Sequence, residues 1–343
     1  MSASVVKIEP LDPFDDVQLS EFHSVYQAAD RHGRRYANGW ALVEMAAALR
    51  SPQEYVTHLP SCIRVDGAMV GLVQVELPQR DNTTLAVAEV HVLPEQRRKG
   101  FGTLLAAHAA EQARDHGRTT WTAWVPGRDV DEPADTRTPG EHFATAHCMR
   151  LGQREVQRRL ALPAPVERLE RLAAQAAERH DDYRLVGWVG HCPDEHVAAY
   201  CRLKAAMNTE APSGELEVED QHWDERRLRQ EEERMRASGR TVHVCVAVAP
   251  DGSLAGHNEL VVPAHDPEVV FQWDTLVLPV HRGRRLGIAL KVRNLLAVRA
   301  AHPGRTNLRT FNADSNTHMV AINDAIGFVP VAYMGEWLGP VPA

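Results

Sequence analysis

Lysine is almost missing from this chain. Only Lys7, Lys99, Lys204 and Lys291 occur in 343 residues, so arginine carries nearly all the positive charge. With the abundance of alanine, this reads as the coding bias of a GC-rich bacterial genome, not as chemistry. The formal net charge of −8 argues against nucleic acid or an anionic membrane as the main partner. Cysteine is also scarce. Cys62, Cys148, Cys192, Cys201 and Cys245 are odd in number and scattered, with no C-x-x-C pair. That excludes a disulfide framework and fits reduced thiols in a cytoplasm. His142, His147 and Cys148 are near one another in sequence, but neither H-E-x-x-H nor paired-cysteine spacing occurs, so no metal is expected. No apolar run approaches membrane-spanning length. The segment from Met1 to Ile8 lacks a basic start followed by an apolar stretch, so no signal peptide is read.

What is present is a soluble, globular balance. Hydrophobic residues make up 44% and charged residues 24%, and the length suits two ordinary domains. The chain is organised around residues 86–105. An alternating run with Val87, Val90 and Val92 stops at Pro94. A basic turn follows, Arg97-Arg98-Lys99-Gly100-Phe101-Gly102, and then an Ala- and Leu-rich helical run to Ala113. Strand, turn, helix is the arrangement that presents backbone N–H groups to a phosphate at a helix N-terminus. Glycine at 100 and 102 lets the backbone approach closely. No Gly-Lys-Ser/Thr follows, so this is not a Walker A loop. The first glycine of G-x-G-x-x-G is missing, so it is not a dinucleotide fingerprint.

The pattern recurs 185 residues later. Val92-Leu93-Pro94 returns as Val277-Leu278-Pro279 and Asp66-Gly67 as Asp251-Gly252. Gly71 returns as Gly256, Arg97 as Arg282, Gly102 as Gly287 and Leu105 as Leu290. One gap-free register over forty positions predicts a tandem duplication. Around it the periodicity predicts helices at 17–31 and 40–49, a hairpin at 61–77 and an extended run at 119–125. A loop is expected at 126–140 and a short helix at 143–151, and residues 153–162 are expected to close the first domain. Residues 166–180 read as a connecting helix, 208–214 as a loop and 220–238 as a charged helix with a solvated face. The expected domains are 1–162 and 183–343, joined by 163–182.

Arg-x-x-Gly-x-Gly after a V-x-P strand end resembles motif A of the GNAT superfamily of N-acetyltransferases, where the loop holds the pyrophosphate of acetyl-coenzyme A. Asn312 to Phe328, a loop and helix ending in Gly327-Phe328, resembles motif B of the same family. The resemblance implies an α+β protein of two tandem GNAT folds, each a mixed, mostly antiparallel sheet flanked by helices, in a layout similar to mycothiol synthase. It implies acetyl-CoA as co-substrate and direct transfer to an amine of a small molecule in a cytoplasmic monomer or homodimer. Val90, Val92, Arg97, Arg98, Lys99, Gly100, Phe101, Gly102 and Thr103 would hold the cofactor in copy one. Val277, Arg282, Gly287, Asn312 and Asn316 would do so in copy two. As an alternative, Asn316 reads simply as a helix N-cap. A non-catalytic acyl-CoA sensor and transfer from an acyl carrier protein remain as rival readings.

Acetylating an ammonium at pH 7 requires its deprotonation, which costs about 4.6 kcal/mol for a pKa near 10.4. A positioned base offsets this. Glu89, and Asp274 at the same offset, are the candidate bases on the strand before each loop. The family's usual glutamate position holds Ala86 and Phe271 instead. The position of the usual tyrosine acid holds Cys148 in copy one and Asn323 in copy two. Arg285 stands where copy one has Gly100. A side chain at a left-handed position costs roughly 1–2 kcal/mol and would crowd a phosphate. Copy one is therefore expected to be the catalytic half; the alternative is copy two, which keeps the better motif B, with Asn316 where copy one has Glu141, and whose counterpart is the active half in the mycothiol-synthase layout.

Overall fold

The computed structural model describes residues 5–52, 54–210, 214–215 and 219–342. In chain order the elements are β1 (Val6–Pro10), α1 (Asp16–Arg31), α2 (Leu42–Leu49), β2 (Val56–Val65), β3 (Ala68–Pro78), β4 (Leu85–Val92), α3 (Phe101–Asp115), β5 (Thr120–Asp129), α4 (Pro139–Ala146) and β6 (Arg150–Ala161). There follow α5 (Val166–Ala177), β7 (Arg184–Val189), α6 (Val197–Glu210), α7 (Glu225–Ala237), β8 (Arg240–Val248), β9 (Leu254–Pro263), β10 (Val269–Val277), α8 (Leu286–Ala301), β11 (Asn307–Ala313), α9 (Thr317–Ile326) and β12 (Val329–Pro340).

Two compact units form. Unit 1 holds residues 1–153 and 334–343, and unit 2 holds residues 154–333. These differ from the expected segments in two stretches, 154–162 and 334–343, which belong to the unit opposite to their repeat. The reason is visible in the pairing. From Glu155 to Ala161, β6 runs antiparallel to β11, and Leu160 lies in the core of unit 2. Trp337 lies in the core of unit 1, where Val341 N donates to Thr119 O at 2.9 Å. The expected connecting helix is α5, and its Leu169 is buried against Leu295 and Val298 of α8.

Unit 1 orders its strands β1-β2-β3-β4-β5-β12, and unit 2 orders them β6-β11-β10-β9-β8-β7. All the hairpins are antiparallel. The parallel pairs are β4 with β5 and β10 with β11. Both units are thus the mixed, mostly antiparallel sheets that the resemblance implies. In unit 1, α3 sets Leu105, Ala106, Ala109, Ala110 and Ala113 on one face of the sheet. Alanine on that stripe combines strong helix propensity with close approach to the strands. The other face is covered by Leu19, Phe22, Tyr26 and Met45 of α1 and α2. Unit 2 repeats this with α5 and α8 on one face and α6 and α7 on the other.

Several boundaries differ from the sequence reading. The 126–140 loop is shorter than expected, because β5 runs to Asp129 and α4 starts at Pro139. Thr138 caps α4, accepting from Glu141 N while its own N–H donates to the Glu141 carboxylate. The 208–214 loop begins later, since α6 runs to Glu210; residues 211–213 lie outside the described residues. The charged helix is not wholly solvated, because Leu228 and Met235 of α7 are buried.

Candidate functional site

Each repeat delivers a strand, a short 3-10 turn and a helix to one place. The turn is Pro94–Gln96 in unit 1 and Pro279–His281 in unit 2. Arg97 donates from Nε to Val92 O at 3.2 Å, and Arg282 does the same to Val277 O at 3.1 Å. Arg97 also reaches Ala29 O. These arginines brace the turn from strand to loop, so Arg98 and Lys99 are the exposed cations of loop one. Lys99 meets Gln96 at 2.8 Å.

Two residues of each loop are left-handed, at matching positions. In loop one they are Arg98 (φ 64°) and Gly100 (φ 88°), and in loop two Gly283 (φ 83°) and Arg285 (φ 55°). Each loop therefore carries one glycine and one strained arginine, in exchanged order. The expected disadvantage of Arg285 is matched by Arg98. Arg285 does not crowd the loop either, because its guanidinium donates to Gln175 O at the end of α5. Strain therefore does not distinguish the loops, and the expectation built on Arg285 is corrected. A side-chain Cβ at Gly100 or Gly283 would meet nothing within 4 Å, so both loops face open space. Successive N–H groups in such a turn, ending on a helix N-terminus, form a concavity suited to a diphosphate.

The second glycine has a packing role. A Cβ at Gly102 would lie 3.1 Å from the Phe143 ring of α4, and one at Gly287 would lie 3.0 Å from Ile322 Cδ1 of α9. Phe101 packs into the unit 1 core, and Thr103 stays exposed in the first turn. Beside each loop the parallel strands separate. Ladder pairing of β4 with β5 covers Leu85 to Val87, and that of β10 with β11 covers Val269 to Gln272. Val90 and Val92, like Val277, lie beyond those rungs, where the ladder between the parallel strands has ended.

The candidate acids occupy different surroundings. Glu89 points to the α1 face, with its side chain 37% exposed. Among the described residues its neighbour at ion-pair range is His91, with Nε2 3.7 Å away. His91 packs edge-on against Tyr26 at 4.8 Å. Burial pushes the Tyr26 phenol above its ordinary range, and the nearby Glu89 and Asp30 charges push it the same way. Tyr26 is therefore a neutral phenol, and its oxygen accepts from Trp40 N. Asp274 sits at a β-bulge, where the β9–β10 register shifts between Gln272 and Thr275. Lys204 Nζ lies 2.7 Å from Asp274 Oδ2 and 2.9 Å from Glu259 Oε1. Burial opposes the Asp274 charge, but the Lys204 ammonium outweighs it and holds the carboxyl well below its usual range. A carboxylate so held is a poor proton acceptor.

The remaining candidates are dispersed. Cys148 lies in a left-handed turn after α4 (φ 59°), exposed and free. Among the described residues, no hydrogen bond joins it to Glu89 or the loop. Asn316 caps α9, its oxygen accepting from Met319 N at 3.1 Å. Asn312 is buried and accepts from Asn323, whose own oxygen accepts from Lys291 Nζ at 2.9 Å. Lys291 is 2% exposed and faces the Phe328 ring, and burial pushes its amine down to about 7. Sequence reasoning missed Lys204 and Lys291. The signal was available: in a chain that uses arginine almost everywhere, two of four lysines are interior.

Strand, turn, loop and helix thus recur in the same arrangement in both units. Residues 19–132 match the Acetyltransferase (GNAT) family. A comparison with curated proteins finds no match. Among solved structures, a tandem GNAT protein from the clavulanic acid biosynthesis pathway, determined without acetyl-CoA, shares 28% identity over 99% of both chains, with a TM-score of 0.79. A GCN5-related N-acetyltransferase from Sphaerobacter thermophilus shares 15% identity over 98% of this chain and 96% of that one (TM-score 0.66). The N-myristoyltransferase of Saccharomyces cerevisiae shares the fold at 10% identity, over 98% of this chain and 79% of that one (TM-score 0.57). Residues 19–132 thus carry the match to the GNAT family, and along its whole length the chain is similar to a tandem GNAT protein.

Proposed function

We propose that the protein is an acetyl-CoA-dependent N-acetyltransferase acting on a small-molecule amine, with transfer in unit 1. One observation carries the assignment to unit 1. Among the described residues, Glu89 is a half-exposed carboxylate with no lysine or arginine seated on it, whereas the equivalent Asp274 is occupied by Lys204. Arg98 to Thr103 hold the diphosphate through backbone N–H groups, and Val90 and Val92 lie past the end of the β4–β5 ladder. Acetyl-CoA supplies the activated thioester. Glu89 accepts the proton that the acceptor ammonium must lose, directly or through one water. A backbone N–H near Val92 faces the thioester oxygen as charge builds there. No covalent enzyme intermediate is required.

The test is thiol release from acetyl-CoA across an amine panel. Glu89→Gln is expected to lower kcat/KM at pH 7 by roughly 10²–10⁴-fold. It should recover part of the loss towards high pH, where the amine deprotonates unaided. A Glu89→Gln profile parallel to wild type removes Glu89 from the mechanism. Loss of activity in Asp274→Asn, with Glu89→Gln unaffected, moves the chemistry to unit 2.

A further inference from the structure

We propose that unit 2 carries a recognition site for a primary alkylammonium group, which this chain fills with its own Lys204. The site lies on the α6 face of the sheet, beside the bulge that displaces Asp274. Its floor is Asp274 and Glu259, whose oxygens lie 2.7 and 2.9 Å from Lys204 Nζ. An ammonium has three donors. Two meet these carboxylates, and the nitrogen stands 5.3 Å from the centre of the Trp223 ring, within cation–π range. Tyr200 donates to the same Glu259 oxygen at 2.6 Å, which fixes that carboxylate for the ammonium.

A second observation is independent of the acids. His257 is fully buried, and among the described residues neither ring nitrogen has a partner at normal hydrogen-bond distance. Its Nε2 points into the cluster, 3.6 Å from Glu259 and 3.9 Å from Asp274. A buried polar group without a partner costs stability, so the fold alone does not account for it. Nor does the fold require the cluster. At the same offset of 185, unit 1 has Leu72, Gln74 and Glu89 where unit 2 has His257, Glu259 and Asp274. Unit 1 has a single acid at these positions, where unit 2 has a histidine and two acids beside the Lys204 amine.

The chemistry selects the ligand class. Two carboxylates and an aromatic face around the end of a straight lysine chain suit a primary ammonium. Lys204 thus stands as an internal pseudo-acceptor, and an external amine cannot sit on Asp274 while it is there. This deepens the reading that unit 1 transfers, and it rests on that reading only for the comparison with Glu89. His257, Glu259 and Asp274 also approach within 4.8 Å of one another, a spacing that a divalent cation can use. The Lys204 ammonium already bridges the two carboxylates, which favours the amine.

Binding, not turnover, is the test, so its failure is separate from failure of the transferase reading. Lys204→Ala deletes a propylammonium's worth of side chain. Added n-propylammonium should raise the Tm of this variant saturably, by roughly 3 °C or more. Propanol and tetramethylammonium should raise it by less than about 1 °C, and Lys204→Met should respond to none of them. Acetyl transfer at unit 1, followed in parallel, should persist in Lys204→Ala. If Lys204→Ala does not fold, wild-type protein decides the question. Amine-reactive labelling read by mass spectrometry should modify exposed Lys7 at least tenfold faster than Lys204. The proposal is overturned if propanol stabilises as well as propylammonium, if folded Lys204→Ala gains nothing, or if Lys204 labels as fast as Lys7. Stabilisation of Lys204→Ala by Zn²⁺ or Mn²⁺ alone, with no response to amines, overturns it in favour of a metal site.

Discussion

Lys291 shows how much one side chain can reveal about an interior. Its amine is buried among α8, α9 and Phe328, and among the described residues its one hydrogen-bond acceptor is the Asn323 amide oxygen. An amide does not compensate an ammonium as a carboxylate does, so burial pulls the folded-state value to about 7 from an ordinary 10.5. The unfolded chain keeps its proton to near the ordinary value. Between the two, the unfolded state binds more protons, and raising the pH favours folding. Below about 7 the full cost of burying the charge is present; above the ordinary value both states are neutral and it vanishes. Urea unfolding of the wild type should therefore show stability rising from pH 7 towards 10 relative to Lys291→Met. Parallel pH courses for the two proteins would mean that the amine is not held neutral. Glu89 and Asp274 were legible from the repeat register. Their difference was not, because Lys204 lies seventy residues from Asp274 and reaches it only through the packing of α6 on β10.

The loops make the same point for elements. The offset of 185 predicted two equivalent turns, and the backbone delivers them, with left-handed residues at both matching pairs. The glycine content was legible, but its meaning was not. Reading Gly100 against Arg285 alone suggested a damaged second loop. Taking Arg98 against Gly283 as well shows that each loop carries one strained arginine. Since Arg285 reaches φ 55° with its side chain turned towards α5, and since space around Gly100 is open, Gly100→Arg should be tolerated. Calorimetry should find the Kd for coenzyme A changed by less than about threefold, under 0.7 kcal/mol. A tenfold loss would show that glycine is needed there for contact with the ligand. Elsewhere a local signal is present: Thr138-Pro139-Gly140-Glu141, inside the expected loop, is a capping box with proline at the first helical position. The β10 bulge had no such signal, because a bulge is defined by its partner strand.

At the scale of the whole molecule, the repeat and the folded unit are not the same object. Duplication predicted that each half would close its own sheet, with a boundary near Pro163. Instead, residues 154–161 complete unit 2, and residues 334–343, from the end of the second repeat, complete unit 1. A constant offset tells where sequence recurs, but pairing between strands distant in sequence decides which sheet each strand joins. The consequence is measurable at Trp337. Its indole is 4% exposed in the cluster that contains Trp121, Val125, Ala144 and Met149. A Cβ at Gly335 would lie 2.6 Å from Trp337 Nε1 and 2.7 Å from Leu151 Cδ1, so the tryptophan has little room to move. Removing a buried tryptophan costs about 3–5 kcal/mol. Trp337→Ala should therefore weaken the unit that contains the first repeat, although the residue lies near the other end of the chain. Hydrogen exchange read by mass spectrometry should show peptides from 85–129 losing protection, while peptides from 244–262 keep theirs. Equal loss in both sets, or loss confined to 244–262, would return the last strand to the second repeat and dissolve the exchange.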